Sequence, residues 1–246
     1  MKSVCEIARE FMCRGGKKLR PRLCRIVYDA LVQGGAGGGD FGKVLEAVEC
    51  FHKASLIHDD IQDGDEVRYG RPSVHAEHGI PFAIAVGDYL VASGYYLIST
   101  SGFPRVADML SAASCSHLAL SEGQGDDLAM RIAGPGAVSA DTVLSVYIRK
   151  TGEAFALAAE LGAIAALGEG GARSNEIEKA LHRFGITFGV VFQMRDDMAD
   201  GECVLDRRYL ETARAQCVAA ASATGMPELE RGLLEFMDET FGGEQG

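Results

Sequence analysis

The same acidic spacing, Asp-Asp-x-x-Asp, closes two apolar stretches in opposite halves of this sequence. Asp59-Asp60-Ile61-Gln62-Asp63 follows the stretch from Phe51 to His58, and Asp196-Asp197-Met198-Ala199-Asp200 follows the stretch from Phe184 to Gln193. On a helix, side chains at i, i+1 and i+4 lie within about 100° of one another, so each cluster forms one carboxylate-rich face. Burying that many like charges without compensation is very costly, and bound cations are the remedy. A bundle that sets two such faces opposite each other would hold hard divalent cations through oxygen. Mg²⁺ takes one or two carboxylates and completes its shell with phosphate oxygens, so the repeat points to metal-dependent chemistry on a diphosphate.

Glycine and proline supply the punctuation. The run from Gly34 to Gly39 reads as a connector, and Gly102-Phe103-Pro104, Gly134-Pro135-Gly136 and Gly168-Glu169-Gly170-Gly171 read as further breaks. Between them lie Ala- and Leu-rich stretches with few of the alternating runs that strands need. The expectation is an all-α bundle with recurring helices of about 20 residues around a central cavity, and no sheet. Asp40 is expected to cap a helix beginning at Phe41, Asp141 one carrying Val143 and Val146, and Ser174 one beginning near Glu176. No composition break divides the sequence, so residues 1–246 read as one domain.

A hydrophobic fraction of 47% is enough for a substantial core. With a net charge of −11 and no long Lys/Arg block, the chain is not built to track a nucleic acid. Seven cysteines without a CxxC pair or zinc spacing fit reduced thiols and a cytoplasmic setting. The first residues are charged where a signal peptide needs an apolar stretch. The most apolar long run, Ala154 to Leu167, is interrupted by Glu160 and too short to span a bilayer, so no transmembrane segment is expected.

Several cations lie where they could meet phosphate. Gly15-Gly16-Lys17-Lys18-Leu19-Arg20-Pro21 puts basic residues on a glycine turn before a helix, which reads either as a diphosphate cradle or as a solvated basic loop. Arg68, shortly after the first cluster, is either a phosphate ligand or an exposed loop arginine. Lys150-Thr151 sets a cation and a hydroxyl in an apolar helix, calling for a phosphate partner unless the lysine snorkels to water. His52 lies about two turns before Asp59 and shares its face, as donor to a phosphate or as a core histidine. Gln193 lies one turn before Asp196, and Glu122 to Asp127 form a polar knot whose Gln124 and Asp127 either support the metal shell or bond a neighbouring helix.

Taken in order, GGKKLRP, SLIHDDIQD, RYGRPSVH, GDYL, EGQGDD, KTG and FQMRDDMAD resemble the motifs of the trans-isoprenyl diphosphate synthases, the polyprenyl synthetase family that includes farnesyl and geranylgeranyl diphosphate synthases. The resemblance implies the all-α isoprenoid-synthase bundle, normally a homodimer. It implies three Mg²⁺ ions with Asp59, Asp63 and Asp196 as main ligands and Asp60, Asp197 and Asp200 in support. Lys17, Arg20 and His52 match positions that bind isopentenyl diphosphate, while Arg68, Lys150, Thr151 and Gln193 match the allylic-substrate side. Asp59, Asp60, Asp63, Asp196 and Lys150 form the expected catalytic set. The implied reaction ionises an allylic diphosphate, whose cation is attacked by the double bond of isopentenyl diphosphate before a proton is lost. Small Ser55 and Ala54 before the first cluster, with Phe51 as a floor, suggest a geranylgeranyl or longer product.

Three features depart from the family pattern. Tyr69 stands where members usually carry a second arginine after Arg68. No lysine follows Lys179, leaving Arg207 or Arg208 for a role that a lysine usually fills. The chain also reads as short at both ends, with fourteen residues before the glycine turn. These departures leave two other readings open: a terpene synthase-like enzyme that ionises without condensing, and a non-catalytic subunit of a heteromeric prenyl synthase.

Overall fold

The computed structural model describes residues 2–32, 38–134, 138–168, 171–201 and 203–242. Its contacts divide the chain into two compact units, Met1–Arg22 with Gly39–Gly102, and Leu23–Gly38 with Phe103–Gly246. Both are helical, as the absence of alternating runs predicts. Much of the expected connector, and parts of the breaks at Pro135 and Glu169, lie outside the described residues.

The first unit holds α1 (Val4–Met12), the start of α2 (Leu19–Leu31), α3 (Phe41–Asp63), α4 (Val74–His78) and α5 (Ile80–Ser99). Ser3 and Glu6 close α1 with a capping box, and Asp40 caps α3 as predicted. Helices α3 and α5 lie close because glycines on α5 receive large side chains from α3. A Cβ on Gly87 would stand 2.2 Å from the His58 ring, and one on Gly94 would stand 2.3 Å from Phe51. Ile7, Phe11, Ala54, Ile57, Val86 and Leu90 fill the core between these helices and α1. Each large side chain so buried contributes about 1.5–3 kcal/mol.

One element was not expected from the sequence. Val67–Arg68 (β1) and Arg71–Pro72 (β2) pair as a minimal antiparallel hairpin, with Arg68 opposite Arg71. Its two turn residues, Tyr69 and Gly70, have φ of +55° and +69°. That is the geometry of a type I′ turn, which suits glycine at the second position and strains the tyrosine at the first.

The second unit holds the rest of α2 with α6 (Val106–Ala133), α7 (Ala140–Tyr147), a π-helical turn (Ile148–Gly152), α8 (Glu153–Leu167), α9 (Ala172–Asp200), α10 (Arg207–Ser222) and α11 (Pro227–Phe241). Phe188 centres an aromatic cluster, with Phe155, Phe184, Phe236 and Phe241 at centroid distances of 4.8–5.8 Å. Close helix approach again depends on glycine. A Cβ on Gly185 would meet Ala156 Cα at 2.3 Å, and one on Gly189 would meet Gly152 Cα at 2.6 Å.

Two predicted caps move. Ser139, not Asp141, caps α7 by accepting from Thr142 N at 3.1 Å, and Asp141 lies inside the first turn, where a negative charge complements the helix dipole. Helix α9 starts at Ala172 after an extended Gly171, so Ser174 is already helical. Among the described residues, one helix is long and apolar enough to cross a membrane by length and composition alone, and it is α5, not the Ala154–Leu167 stretch. Glu160, which breaks that stretch, accepts a hydrogen bond from His182 at 2.8 Å. All seven cysteines are free thiols.

Candidate active site

In the first unit the acidic cluster ends α3, and Gly64 in the left-handed conformation closes the helix. Its three aspartates do not behave alike. Asp63 is exposed and Asp59 half-buried, one turn apart on one face, whereas Asp60 is fully buried. Asp60 Oδ1 accepts from Arg68 Nε at 2.7 Å, and Arg68 also reaches Asp65 at 3.0 Å. The hairpin is what returns Arg68 to the helix end. Burial pushes the Asp60 carboxyl above the usual carboxylate range, and the Arg68 bond opposes that shift. Asp60, expected among the catalytic and metal residues, therefore anchors Arg68 beneath the outward pair Asp59 and Asp63. Arg68 in turn is committed to Asp60 and Asp65 instead of extending from a loop.

The glycine turn lies at the start of α2, with Gly15, Gly16, Lys17 and Lys18 all exposed. Behind it, Arg20 Nη1 lies 3.2 Å from His52 Nδ1. A guanidinium only donates, so this ring nitrogen accepts and the proton of the neutral imidazole sits on Nε2. Burial, with Arg20, Lys53 and Arg68 nearby, holds His52 well below its ordinary pKa, and burial lowers Arg20 to about 10. The expected set Lys17, Arg20 and His52 thus includes one close pair, Arg20–His52, beside an exposed lysine.

Sequence reasoning missed Lys53, which is 0% exposed. Its Nζ donates to the carbonyls of Arg14 and Gly15 at 2.7 and 2.8 Å, and sits 4.3 Å from the Tyr69 ring centroid. A signal was present: a lysine one residue past His52, on the buried side of α3, has to find acceptors. Arg14, also buried, ties the turn to the hairpin and α4 through Pro72 O at 2.8 Å and Glu77 at 2.9 Å.

In the second unit the π-helical turn carries Lys150 and Thr151. Wide turns of this kind occur often at functional sites. Lys150 Nζ donates to Asp127 at 2.5 Å, and Arg131 joins the same carboxylate at 3.0 Å. Arg149 pairs with Asp126. The polar knot on α6 is therefore the counter-charge of the π turn. Thr151 Oγ1 donates to Gln193 Oε1 at 2.7 Å, and Gln193 Nε2 donates to Asp197 Oδ1 at 2.7 Å. Tyr147 O–H donates to the other oxygen of Asp197. Burial and that carboxylate push the Tyr147 phenol above its ordinary range.

The second cluster repeats the first. Its middle carboxylate, Asp197, is half-buried and tied to Gln193 and Tyr147, while Asp196 and Asp200 at the end of α9 are exposed. Arg207 and Arg208, the candidates for the absent lysine, sit at the start of α10. Arg208 is held by Asp206 at 3.0 Å and Arg207 lies 3.7 Å from Glu211.

Among the described residues, no three His, Cys, Asp or Glu side chains converge into a preformed metal cage. Mg²⁺ does not need one, since it commonly binds one or two carboxylates together with water and substrate phosphate. Two outward aspartates at each helix end, all oxygen donors, fit that cation better than a softer one that prefers nitrogen or sulfur.

The family model described as polyprenyl synthetase matches residues 1–206. The chain is 31% identical over 196 residues to the geranylgeranyl pyrophosphate synthase of Geoglobus acetivorans, covering 78% of this chain and 58% of that one. It is 35% identical over 187 residues to the short chain isoprenyl diphosphate synthase of Methanothermobacter thermautotrophicus, covering 76% and 54%. The chain thus spans a little over half the length of these relatives. Its fold is that of the geranyltransferase of Helicobacter pylori solved with magnesium and isoprenyl diphosphate, with a TM-score of 0.83, 21% identity and coverage of 99% of this chain and 91% of that one. The matched span contains both aspartate-tipped helices, the glycine turn and the π turn, and it places this chain in the polyprenyl synthetase family.

Proposed function

We propose that this protein is a Mg²⁺-dependent trans-prenyltransferase that condenses isopentenyl diphosphate with an allylic diphosphate, giving an all-trans product of geranylgeranyl length or longer. The observation that carries this reading is the repeated helix end. In both clusters the middle aspartate is tied to neighbouring side chains, while the last is exposed and the first is half-buried at Asp59 and exposed at Asp196. Asp59, Asp63, Asp196 and Asp200 would hold Mg²⁺, which when bound offsets the charge of a departing diphosphate.

The remaining chemistry falls to the chain's own groups. Lys17 and Lys18 flank the turn amides with positive charge, and Arg20 with a neutral His52 offers further donors to the diphosphate of the attacking substrate. Lys150, held by Asp127, and Thr151, oriented by Gln193, serve the allylic diphosphate. Apolar faces of α3 keep water from a developing allylic cation. Small Ser55 and Ala54 support a long product, and Phe51 is seated in the Gly94 notch on α5. Ile80 and Ile84, four residues apart on one side of α5, are exposed by 51% and 46%, and a second copy of the chain would cover them in a homodimer.

The test is product analysis with Mg²⁺, labelled isopentenyl diphosphate and, in turn, dimethylallyl, geranyl, farnesyl and geranylgeranyl diphosphates, with Asp59→Ala as blank. Elongated products that vanish in the blank are the expected result. Diphosphate release without elongation would replace condensation by simple ionisation, to which the tyrosine at position 69 lends support. Silence with every substrate would reduce the chain to a subunit of a heteromer. Sedimentation velocity gives the oligomeric state.

A further inference from the structure

Lys53 makes two hydrogen bonds whose geometry reaches beyond the side chain. They go to the carbonyls of Arg14 and Gly15 at 2.7 and 2.8 Å. No peptide bond among the described residues is cis. In a trans peptide the N–H points opposite to the C=O of the same plane. The Arg14 carbonyl shares its plane with the Gly15 N–H, and the Gly15 carbonyl shares its plane with the Gly16 N–H. By drawing both carbonyls inward, the buried ammonium turns both glycine amides outward. Among the described residues neither amide donates to another group of the protein, and both glycines are exposed.

The surroundings fix this orientation. Gly16 has φ of +109° and Lys18 of +49°, so the backbone is wound into a shape that L side chains seldom adopt. Successive amides in such a turn form a concave anion site. Tyr69 closes the inner side. A Cβ on Gly15 would stand 3.3 Å from its ring, and one on Gly16 would stand 3.1 Å from its hydroxyl. The ring lies over the Lys53 ammonium and screens it from water. Glu49, itself buried, balances the charge from 3.9 Å.

We infer that Lys53 is a positioning residue which, with Tyr69 as its cover, aims the Gly15 and Gly16 amides at a diphosphate. The inference rests on the proposed function, since it deepens the diphosphate site formed by Lys17, Arg20 and His52. The cation acts through the backbone and does not touch the ligand. It explains how a tyrosine is accommodated beside Arg68: the local positive charge comes from beneath the ring.

Binding of inorganic pyrophosphate to the metal-free protein tests this without turnover, by calorimetry on wild type, Lys53→Met and Tyr69→Leu. Wild type should bind, and Lys53→Met should bind at least about tenfold more weakly, the factor given by one lost charged hydrogen bond. Tyr69→Leu should weaken binding less. Equal affinity of wild type and Lys53→Met overturns the inference, as does absence of binding to wild type; the proposed function stands or falls separately, on product analysis with Mg²⁺. Because Lys53→Met empties a buried site and could fail to fold, amide NMR on wild type gives a second reading. The Gly15 and Gly16 signals should move downfield on addition of pyrophosphate. If they stay fixed while Lys17 responds, the amides are not ligands and the inference falls. A purely structural lysine would change the melting temperature but would leave affinity and the glycine signals untouched.

Discussion

Arg68 and Asp60 form the inward half of the first acidic cluster: the guanidinium Nε donates to Oδ1 at 2.7 Å, and the carboxylate is fully buried. Asp197 is its counterpart at the second cluster, where Gln193 and Tyr147 take the role of the arginine. In each motif the middle residue secures the helix end, and the first and last residues keep at least part of their carboxylates open to solvent.

Removing the arginine should therefore harm the fold more than removing the pair. Arg68→Leu leaves a buried carboxylate without its main partner and should cost about 2 kcal/mol of stability. Asp60→Asn combined with Arg68→Leu should recover a substantial part of that loss. Urea denaturation of the two single variants and the double variant reads the coupling. Additive effects would mean that the two side chains do not depend on each other.

Metal dependence should divide the aspartates in the same way. Asp59→Asn and Asp196→Asn should each lower turnover by about two orders of magnitude or more, the scale on which loss of charge stabilisation at a reacting centre is felt. Asp60→Asn should lower turnover by about tenfold at most and act mainly on the melting temperature. Chelation by EDTA should stop product formation, and Mg²⁺ should restore it. A loss with Asp60→Asn as deep as with Asp59→Asn would return the middle residue to the reacting centre.

Stability should decline toward acid pH through His52. Its folded-state pKa lies well below the ordinary 6.5, because the ring is buried beside Arg20, Lys53 and Arg68. Below pH 6.5 the unfolded chain takes up a proton that the folded chain refuses, so this contribution is whole above pH 6.5 and lost as the pH falls. The slope from one proton is at most about 1.4 kcal/mol per pH unit. Unfolding free energies at pH 7.5 and 5.5, in wild type and His52→Gln, should show a shallower decline in the variant. Parallel declines would show that other groups govern the acid limb.

Two glycines in long helices should respond oppositely to alanine. At Gly185 the added methyl would meet the Ala156 backbone at 2.3 Å, so Gly185→Ala should destabilise by about 3 kcal/mol or more. At Gly125, on α6, nothing lies within 4 Å of the added carbon, and Gly125→Ala should stabilise by about 0.5–1 kcal/mol. Thermal melts of both variants suffice. A neutral Gly185→Ala would mean that α8 and α9 can separate without cost.

These contrasts also mark what the sequence made legible. Helices, their long apolar faces and the position of each acidic cluster at a helix end follow from periodicity and punctuation. So does the Asp40 cap, because an aspartate directly before an apolar helical run has a clear purpose. The inward turn of Asp60 is not in the pattern, since i and i+1 differ by 100° and only the partner decides which of them is buried. That partner, Arg68, reaches back because of a hairpin whose turn begins with tyrosine, a residue that gives no warning of a left-handed conformation. The link between Lys53 and two carbonyls is likewise long-range, joining α3 to a segment some forty positions earlier. Ser139 and Asp141 are both good caps by residue type, and the backbone selects the first.

The wide turn at Ile148–Gly152 is equivalent to one residue inserted into a continuous helix. Deleting one residue there would restore the ordinary winding and rotate everything on one side of the cut by about 100° relative to the other. Lys150 and Thr151 could not then keep both Asp127 and Gln193. The extra residue works as a phase shift: it lets one helix address two different neighbours in succession, something that a regular helix of the same composition could not do.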